Sequence, residues 1–532
     1  MLDSAASDPA PLFSASPAGE PAGAEGAPLA SARLLDPQHV LETVFGYHVF
    51  RPGQRQLIDA VLAGRDCIGV MPTGAGKSLT FQIPAKILPG PVLVLSPLIS
   101  LMKDQVDALV RLGFRAAAIH SGIAWEDRQR YLGMLRRGEL ELAYMAPEAL
   151  EGSLRAVLAG CPIQLVVVDE AHCISTWGHD FRPAYRKLQG LKQELGDIPV
   201  LALTATATRR VALDILRQLG MSKPEGFKGS FFRPNLLITA AKKGEGRDTR
   251  RDILGVVRRH AGESGILYCL SRKSVEAMAT WLGRHGVRAL PYHAGLDDAT
   301  RARNQDAFAR DDVDVIVATV AFGMGIDKSN VRFVVHKDMP RNVESWYQEI
   351  GRAGRDSLPS DCVVLWSWAD VIGYDSFLDE VTDPELRRQT RRKTVELFEL
   401  LSAGHCRHRA LVGYFDERIE PCGSSCDVCR GAGIESLVAA APRREKGRTP
   451  RAAGRAALAG AETARFERLR ALRKRLADSE GVPAYVVFGD AALLEMAREV
   501  PRTRAALLQI TGVGRVKLER YGEAFLEALR TE

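Results

Sequence analysis

The sequence predicts an α/β protein with two lobes, each built on a parallel β-sheet, followed by a helical region and a small all-helical domain. Short apolar runs, each followed by a loop and a helical pattern, recur up to about Ala369, which is typical of parallel sheets with helices on both faces. We expect the lobes to join near Phe232–Leu236. The runs lie at Cys67–Met71, Val92–Ser96, Leu165–Asp169 and Val200–Thr204 in the first lobe, and at Ile266–Leu270, Val315–Thr319 and Val331–His336 in the second.

The flanking segments differ from the lobes in composition. Residues 1–35 are rich in Ala, Pro, Gly and Ser, so we expect a disordered tail. Residues 431–462 carry six basic residues against three acidic ones, which predicts a flexible basic linker. The expected divisions are therefore the tail 1–35, the first lobe 36–234, the second lobe 235–368, a helical module 369–430, the linker 431–462 and a helical domain 463–532.

The bulk properties allow a nucleic-acid partner and argue against a membrane protein. The chain has 532 residues, of which 46% are hydrophobic, and a net charge of +7. A mildly basic protein can bind a polyanion, although the charge alone does not require one. No apolar run reaches the roughly 20 residues of a membrane helix, and the first residues do not form a secretory signal. We therefore expect no membrane partner and a cytoplasmic location, nucleoid-associated in a bacterium.

A glycine-rich loop predicts a nucleotide site for ATP and Mg²⁺. The segment Met71-Pro-Thr-Gly-Ala-Gly-Lys-Ser78 follows an apolar strand and opens a helical stretch, with Met71 where a glycine is usual. Backbone N–H groups of such a loop surround phosphate oxygens, the lysine reaches the β- and γ-phosphates, and the serine ligates Mg²⁺. The residues expected to bind the nucleotide here are Thr73, Gly74, Ala75, Gly76, Lys77 and Ser78.

Two further segments predict the hydrolytic chemistry. Val166-Val-Val-Asp-Glu-Ala-His172 places Asp169 at the end of a strand, where it can hold Mg²⁺, and Glu170 beside it, where it can polarise the attacking water. His172 is interpreted as a relay to the second lobe. Arg352 and Arg355 are three residues apart, on one face if helical, and can supply positive charge to the γ-phosphate when the lobes close.

Four of the nine cysteines predict a metal site. Cys406, Cys422, Cys426 and Cys429 have the spacing C-x15-C-x3-C-x2-C, and four thiolates suit tetrahedral Zn²⁺ with no position open for chemistry. The site should be structural, with His405 and His408 as alternative ligands. The other five cysteines are expected to be small buried apolar residues. They are Cys67, Cys161, Cys173, Cys269 and Cys362.

The order of the motifs and the residues within them resemble those of the RecQ family of DNA helicases, within helicase superfamily 2, over roughly residues 36–430. A further segment, 463–532, is similar to the HRDC domain shared by RecQ helicases and ribonuclease D. The motifs are Phe50-Arg-Pro-Gly-Gln54, Thr73–Ser78, Ser96–Gln105, Asp169-Glu-Ala-His172, Leu203-Thr-Ala-Thr-Ala-Thr208, Ala321-Phe-Gly-Met-Gly-Ile-Asp327 and Gln348–Arg355.

The resemblance implies two RecA-like lobes, ATP-driven movement from 3′ to 5′ on DNA, and a role in repair or recombination. It implies that Gln54 reads the adenine edge, that Tyr47 stacks on the base and that Arg51 assists. The basic run Arg468–Arg475 in the HRDC-like segment is expected either to face DNA phosphates or to be a solvated helix face. We expect a monomer that acts on single-stranded and on tailed or branched duplex DNA, with single-strand-binding or repair proteins as possible partners.

An aromatic-rich loop after residue 172 resembles the one that couples DNA binding to hydrolysis in this family. Trp177, Phe181 and Tyr185 offer faces for bases, and Arg182 offers charge. By the same resemblance, strand-end segments contact the DNA backbone. The residues chosen for these backbone contacts are Lys103, Ser121 and Thr319.

One part of the family pattern is missing between the cysteine cluster and the HRDC-like segment. Many RecQ proteins carry a winged-helix domain there and use its hairpin to part duplex strands, whereas here about thirty residues separate Cys429 from Thr463. The resemblance therefore leaves strand separation less secure than hydrolysis. Four hypotheses stay open: a helicase that parts strands by other elements, a translocase that does not unwind efficiently, an RNA remodeller, and an ATP-gated scaffold without turnover.

Overall fold

The computed structural model describes residues 36–97, 99–150, 153–176, 178, 180–244, 246–320, 322, 328–379, 382–439 and 460–530. The expected N-terminal tail, residues 1–35, lies outside the described residues, as does most of the motif Ala321–Asp327. None of the described helices is both long enough and apolar enough to cross a membrane.

The first lobe is a seven-stranded sheet with helices on its faces. All the strand pairs are parallel, in the order β3-β4-β2-β5-β6-β1-β7. The strands are β1 Cys67–Val70, β2 Val92–Leu95, β3 Ala116–Ile119, β4 Leu142–Met145, β5 Leu165–Val168, β6 Val200–Thr204 and β7 Glu225–Lys228. The helices are α1 Pro37–Val40, α2 Gln54–Leu62, α3 Leu79–Ile87, α4 Ile99–Arg111, α5 Trp125–Arg136, α6 Ser153–Ala159, α7 Leu191–Glu194 and α8 Arg209–Gln218, with a π-helical turn at Leu41–Phe45 and 3₁₀ turns at Pro147–Ala149, Ala171–Ile174 and Pro183–Leu188.

The second lobe is a six-stranded parallel sheet in the order β10-β11-β9-β12-β13-β8. Its strands are β8 Leu236–Lys242, β9 Ser264–Tyr268, β10 Ala289–Tyr292, β11 Val315–Ala318, β12 Val331–His336 and β13 Ser360–Trp366. Its helices are α9 Thr249–Arg259, α10 Arg272–Arg284, α11 Asp298–Ala309 and α12 Val343–Ile350. The predicted fold class, two parallel-sheet lobes followed by helical regions, is confirmed.

The remainder of the described chain is helical. After the second lobe come α13 Trp368–Leu378, α14 Pro384–Ser402, α15 Arg407–Gly413, α16 Asp427–Arg430 and α17 Ile434–Ala439. The C-terminal helical domain, as we call residues 460–530, contains α18 Gly460–Glu480, α19 Ala484–Val487, α20 Asp490–Glu499, α21 Arg504–Leu508 and α22 Arg515–Arg530. Its core is a separate apolar cluster around the buried Phe488 and Phe525.

One sequence-based expectation is wrong in this region, and a second stays a prediction. The expected linker does not begin at residue 431, because α17 buries Ile434 and Leu437 against the second lobe. In the basic run on α18, two residues contact the second lobe, whereas Arg468 and Arg475 are exposed. Arg470 Nη2 donates to the Gly262 carbonyl at 2.8 Å, and Lys474 Nζ lies 2.9 Å from Asp312 Oδ1 of the second lobe.

Candidate active site

The phosphate-binding loop follows β1 and needs glycine at two positions. Gly74 and Gly76 have φ angles of 85° and 79°, in the left-handed region that glycine adopts without strain. A Cβ atom at Gly76 would lie only 2.4 Å from Gln54 Nε2, so a larger residue there would displace the Gln54 side chain in addition to adopting a strained backbone conformation. Lys77 Nζ donates to the Met71 carbonyl at 3.2 Å, which holds the ammonium over the loop.

The residues expected at the adenine lie beside this loop. Gln54 Nε2 donates to the Gly76 carbonyl at 2.9 Å, and its Oε1 accepts from the Arg51 backbone N–H at 2.8 Å. The Arg51 guanidinium donates to the Gly74 carbonyl. Tyr47 is 38% exposed and lines the cavity that also contains the phosphate-binding loop. The Gln54 side chain therefore holds the phosphate-binding loop in place in this structure. To hydrogen-bond with adenine, it would have to give up one of its bonds to the protein backbone.

The paired carboxylates lie at the end of β5. Burial, and then the neighbouring Glu170 charge, raise the pKa of Asp169 to about 7. Glu170 has a φ of 47°, and its buried Oε2 accepts no hydrogen bond from the described part of the chain. The Ser78 hydroxyl makes no capping bond at the start of α3. The Ser78 hydroxyl and the Asp169 carboxylate fit Mg²⁺, which would stabilise the charged form of Asp169. Glu170 is then left to accept a proton from water.

A chain of polar contacts runs from Glu170 to the second lobe. Glu170 Oε2 lies 3.4 Å from His172 Nδ1, which is 2.9 Å from Thr204 Oγ1. Thr204 donates in turn to the Thr206 carbonyl at 3.2 Å, and Gln348 Nε2 of α12 donates to Thr206 Oγ1 at 3.3 Å. His172 thus lies on a path of polar contacts between Glu170 and the second lobe.

The two arginines approach the phosphate loop from the second lobe. Helix α12 ends at Ile350, so Arg352 and Arg355 lie in the turns that follow it. The condition under which they were expected to share a helix face is therefore not met. A Cβ atom at Gly74 would lie 3.5 Å from Arg355 Cα. Both arginines line one cavity of about 900 Å³ with Lys77 and Glu170. The lobes are therefore closed on each other at this site.

Sequence reasoning missed the residue that positions these arginines. Arg233, between the lobes, donates to the carbonyls of Gly351 and Ala353, each at 2.9 Å, and also to that of Gly354. Asn235 Nδ2 adds a bond of 2.9 Å to the Gly354 carbonyl. Nothing in the local sequence marks Arg233, because its partners are backbone atoms about 120 residues away.

The aromatic-rich loop contains one correction. Tyr185 is fully buried, and its hydroxyl donates to the Asp169 carbonyl at 2.9 Å, so it offers no face to a base. Phe181 is partly buried, with the Arg186 guanidinium 4.9 Å from its ring. Arg182 donates to Asp180 and, at 3.3 Å, to the Pro97 carbonyl after β2. Trp177 lies outside the described residues.

The residues chosen for DNA backbone contacts lie at or after strand ends. Ser121 is exposed after β3, and Thr319 is half-buried after β11, where its backbone N–H donates to the Tyr292 carbonyl at 3.2 Å. Lys103 lies on α4, forms an exposed ion pair with Asp107 at 3.1 Å, and lines the cavity. Carboxyl ends of parallel strands share one edge of a sheet, so Ser121 lies at the same edge of the first lobe as Asp169.

The four clustered cysteines come together as predicted. Their Sγ atoms all lie within 4.8 Å of one another, and Cys406 Sγ is 4.0 Å from Cys426 Sγ. A tetrahedral zinc ion with Zn–S bonds of about 2.3 Å requires sulfur atoms about 3.8 Å apart, so the cluster fits Zn²⁺. Burial would raise the pKa of the Cys406 thiol, but backbone N–H groups of Arg409 and Cys422 donate to its sulfur, and its pKa falls to about 7. Zinc binding requires the thiolate.

The cysteine module is fixed to β8 of the second lobe. The backbone N–H of Ile238 donates to the Ser425 carbonyl at 2.9 Å. The buried Asp427 accepts from Arg407 Nε at 3.0 Å and from the Ala240 backbone N–H at 3.0 Å. His408 is also buried, with Nε2 2.9 Å from the Leu236 carbonyl, so it is not a fifth candidate ligand. A metal here therefore holds the edge of a sheet in place.

Four known families match successive parts of the chain. The DEAD/DEAH box helicase family matches residues 51–215, and the helicase conserved C-terminal domain matches 248–357. The RecQ zinc-binding family matches 368–430, and the HRDC domain matches 462–529. An ATP-dependent DNA helicase RecQ of Pasteurella multocida is 38% identical and aligns with 92% of this chain and 93% of its own length. This chain belongs to the RecQ family of ATP-dependent DNA helicases.

Further comparisons agree with this assignment. The RecQ helicase of Bacillus subtilis is 36% identical, over 93% of this chain and 98% of its own length. Among solved structures, Saccharomyces cerevisiae Dbp5 bound to RNA and ADP BeF3 has a TM-score of 0.52 and 15% identity, covering 68% of this chain and 97% of its own. At that identity the likeness shows the fold alone. Membership makes this chain an ATP-dependent DNA helicase, with ATP and Mg²⁺ at the lobes and Zn²⁺ at the cysteines.

The alignment also shows a difference in length from one of these relatives. The alignment with the Pasteurella protein is 591 positions long, and it includes 92% of the 532 residues of this chain, or about 490. About 100 alignment positions are therefore gaps in this chain. The zinc-binding and HRDC matches are separated by residues 431–461 alone. The expected shortness of this RecQ chain after its zinc module is consistent with both observations.

Proposed function

We propose that this helicase moves from 3′ to 5′ along single-stranded DNA and opens tailed or branched duplexes during DNA repair and recombination. The observation that carries the proposal of ATP-driven movement is the contact path from Glu170 through His172, Thr204 and Thr206 to Gln348 of the second lobe. A change at the γ-phosphate can alter this path, and a shift of α12 moves the second lobe relative to the first. Hydrolysis is thereby converted into movement.

Each residue of the nucleotide site has a proposed task. Lys77 and the backbone of Thr73–Ser78 hold the phosphates, Ser78 and Asp169 hold Mg²⁺, and Glu170 accepts a proton from the attacking water. Arg352 and Arg355 stabilise charge that develops on the γ-phosphate. Tyr47, Arg51 and Gln54 bind the adenine side. Both lobes of one chain supply this set, which supports a monomer as the working unit.

The DNA strand is proposed to follow the carboxyl edges of the two sheets. Ser121 and Thr319 would contact phosphates, and Lys103 would add charge near α4. Phe181, Arg182 and Trp177 would stack on or hold bases. Phosphate contacts carry little sequence information, so this arrangement favours weak sequence preference. Similarity to bacterial relatives supports a cytoplasmic, nucleoid-associated protein with single-strand-binding or repair proteins as partners.

A strand-displacement assay tests the proposal. A duplex with a 3′ single-stranded tail should be unwound in the presence of ATP and Mg²⁺, whereas a blunt duplex and a 5′-tailed duplex of the same sequence should not. The Lys77→Ala variant serves as the control without hydrolysis, because it removes the ammonium from the phosphates. Faster opening of the 5′-tailed duplex would contradict the proposed direction.

The short interval between the zinc-binding and HRDC matches favours a second candidate, a translocase that does not separate strands. The family's strand-parting hairpin belongs to a domain that the short interval 431–461 cannot contain. No displaced strand from any tailed duplex, together with hydrolysis stimulated by single-stranded DNA, would establish the translocase and exclude the helicase mechanism proposed above.

A further inference from the structure

Three neighbouring strands of the second lobe end at the same level. Tyr268, the last residue of β9, is in register with Ala318 of β11 on one side and with His336 of β12 on the other. The chain after β11 contains Thr319, which is proposed to contact DNA, and the chain after β12 leads to α12 and Arg352. Tyr268 therefore lies between the proposed DNA segment and the segment that carries an arginine of the nucleotide site.

The Tyr268 hydroxyl is bonded to the segment that follows β11. Tyr268 is buried, and its hydroxyl donates to the Phe322 carbonyl at 2.9 Å. The Phe322 backbone N–H donates in turn to the Thr319 carbonyl at 3.0 Å, which closes a tight turn. The Phe322 ring is buried against Tyr292 and Phe308, with ring centroids 4.6 and 5.8 Å away. Because this turn is packed and bonded, a displacement of Thr319 would act directly on the Tyr268 hydroxyl.

The same hydroxyl interacts with Arg352. Burial raises the pKa of Tyr268 above its ordinary value, whereas the charge of Arg352 and a hydrogen bond from its side chain lower it. Arg352 is buried, and its Nε has no hydrogen-bond partner in the part of the chain that the structure describes. A guanidinium carries five N–H donors, so donors remain for a phosphate oxygen while the tyrosine holds the group.

A buried histidine and a buried glutamate connect the Tyr268 ring to the turn that carries Arg352. The His336 ring stacks on the Tyr268 ring, with centroids 5.2 Å apart and planes 18° apart. His336 Nε2 lies 2.8 Å from Glu349 Oε2 of α12, and the Arg352 backbone N–H donates to the Glu349 carbonyl at 3.3 Å. Displacing the histidine would leave a buried carboxylate without its partner, which is costly. The ring, the pair and the turn therefore form one packed unit.

We propose that Tyr268 is a positioning residue, whose hydroxyl holds the Arg352 guanidinium toward the γ-phosphate and links it to the proposed DNA contact at Thr319. Binding of a DNA phosphate at Thr319 orders the Phe322 carbonyl, the Tyr268 hydroxyl and then the arginine, so hydrolysis is fastest when DNA is bound. This path lies within the second lobe and is separate from the one through His172. The inference rests on the proposed function for its DNA end and on the nucleotide site for its arginine end.

The Tyr268→Phe variant tests the role of the hydroxyl, because it keeps the ring on His336. With saturating single-stranded DNA, its kcat for ATP hydrolysis should fall about tenfold, the effect of losing one hydrogen bond to a charged group. The KM for ATP should not change, because Arg352 acts on charge that develops in the transition state, and such a loss lowers kcat and kcat/KM equally. A wild-type kcat, or a higher KM with kcat unchanged, would overturn the proposal.

A double-mutant cycle separates positioning from a general loss of stability. Single-turnover hydrolysis is measured for the wild type, Tyr268→Phe, Arg352→Ala and the double variant. If the hydroxyl acts through the arginine, Tyr268→Phe should cause no further loss once Arg352 is alanine. A protein that is merely destabilised loses activity in either background. A tenfold loss that persists in the Arg352→Ala background would therefore contradict the positioning role.

Tyr292→Phe is the matched control. Its ring packs on the same Phe322 ring, but its hydroxyl donates to Gln305 of α11 at 3.4 Å, so this variant should hydrolyse ATP at the wild-type rate. An equal loss in Tyr292→Phe would show that the packing of this turn, and not the Tyr268 hydroxyl, is responsible.

Running the cycle with and without single-stranded DNA tests the link to Thr319. The coupling between Tyr268 and Arg352 should be measurable without DNA and larger with it. Equal coupling in the two conditions would contradict the link to DNA. A wild-type rate that DNA does not change would contradict the proposed function instead, and the cycle without DNA would still decide whether Tyr268 positions Arg352.

Discussion

Replacing Glu170 with glutamine should lower DNA-stimulated ATP hydrolysis by about 10²- to 10⁴-fold, the usual contribution of a positioned general base. The amide cannot accept the proton of the attacking water, but it keeps the size of the side chain. Lys77, Ser78 and Asp169 are unchanged, so the dissociation constant of Mg²⁺–ADP should stay within about threefold of the wild-type value, a shift well below the tenfold that corresponds to 1.4 kcal/mol. Single-turnover hydrolysis and a nucleotide titration measure the two quantities.

Glu148→Gln is the matched control, because Glu148 is an exposed carboxylate of the same lobe, in the turn after β4. It should hydrolyse ATP at the wild-type rate. A Glu170→Gln variant that retained more than about a tenth of the activity would show that another group takes the proton, since a general base contributes at least about 10²-fold.

The second large effect is expected at the zinc centre. Cys426 is completely buried, so Cys426→Ser should abolish the bound zinc and unfold the segment around residues 406–430. Structural zinc contributes about 10–16 kcal/mol in isolated finger peptides, and here it also holds Ser425 against β8. Metal analysis should fall from one zinc ion per chain to none, and the melting temperature should drop.

The control for the zinc centre is Cys161→Ser, in which a partly buried cysteine of the first lobe is replaced. Its zinc content should equal that of the wild type. Zinc retained by Cys426→Ser at one ion per chain would contradict the four-thiolate site and reopen His405 as a ligand.

The buried strands and the phosphate loop could be predicted because their signals are local. Strands β2 and β5 are buried along their whole length, and each is a continuous apolar run that is visible in the sequence. Strands β7 and β10 lie at sheet edges and are only partly buried, so their residues show no such run, and they were missed. The buried strands β4 and β13 were missed as well. The scattered Cys67, also within a buried run, is buried as expected.

The site depended more on distant contacts. Helix α12 ends at Ile350, directly before Gly351, and Gly354 between the two arginines has a left-handed φ of 55°. Glycines at these positions are a helix-ending signal that the sequence does contain. By contrast, Tyr185 is buried because its hydroxyl reaches the Asp169 carbonyl, and a loop-like neighbourhood of glycine and proline gives no sign of that bond. The Gly512 backbone N–H donates to the Gly46 carbonyl at 2.8 Å, a contact between residues more than 400 positions apart that no local pattern predicts.

The central claim is that the site between the lobes hydrolyses ATP in order to act on DNA. The most direct test is the steady-state rate of ATP hydrolysis by the full chain with no nucleic acid, with single-stranded DNA, and with single-stranded RNA of the same sequence. We predict that DNA raises the rate at least tenfold and that RNA does not. An unchanged rate with DNA, or equal stimulation by RNA, would contradict the claim.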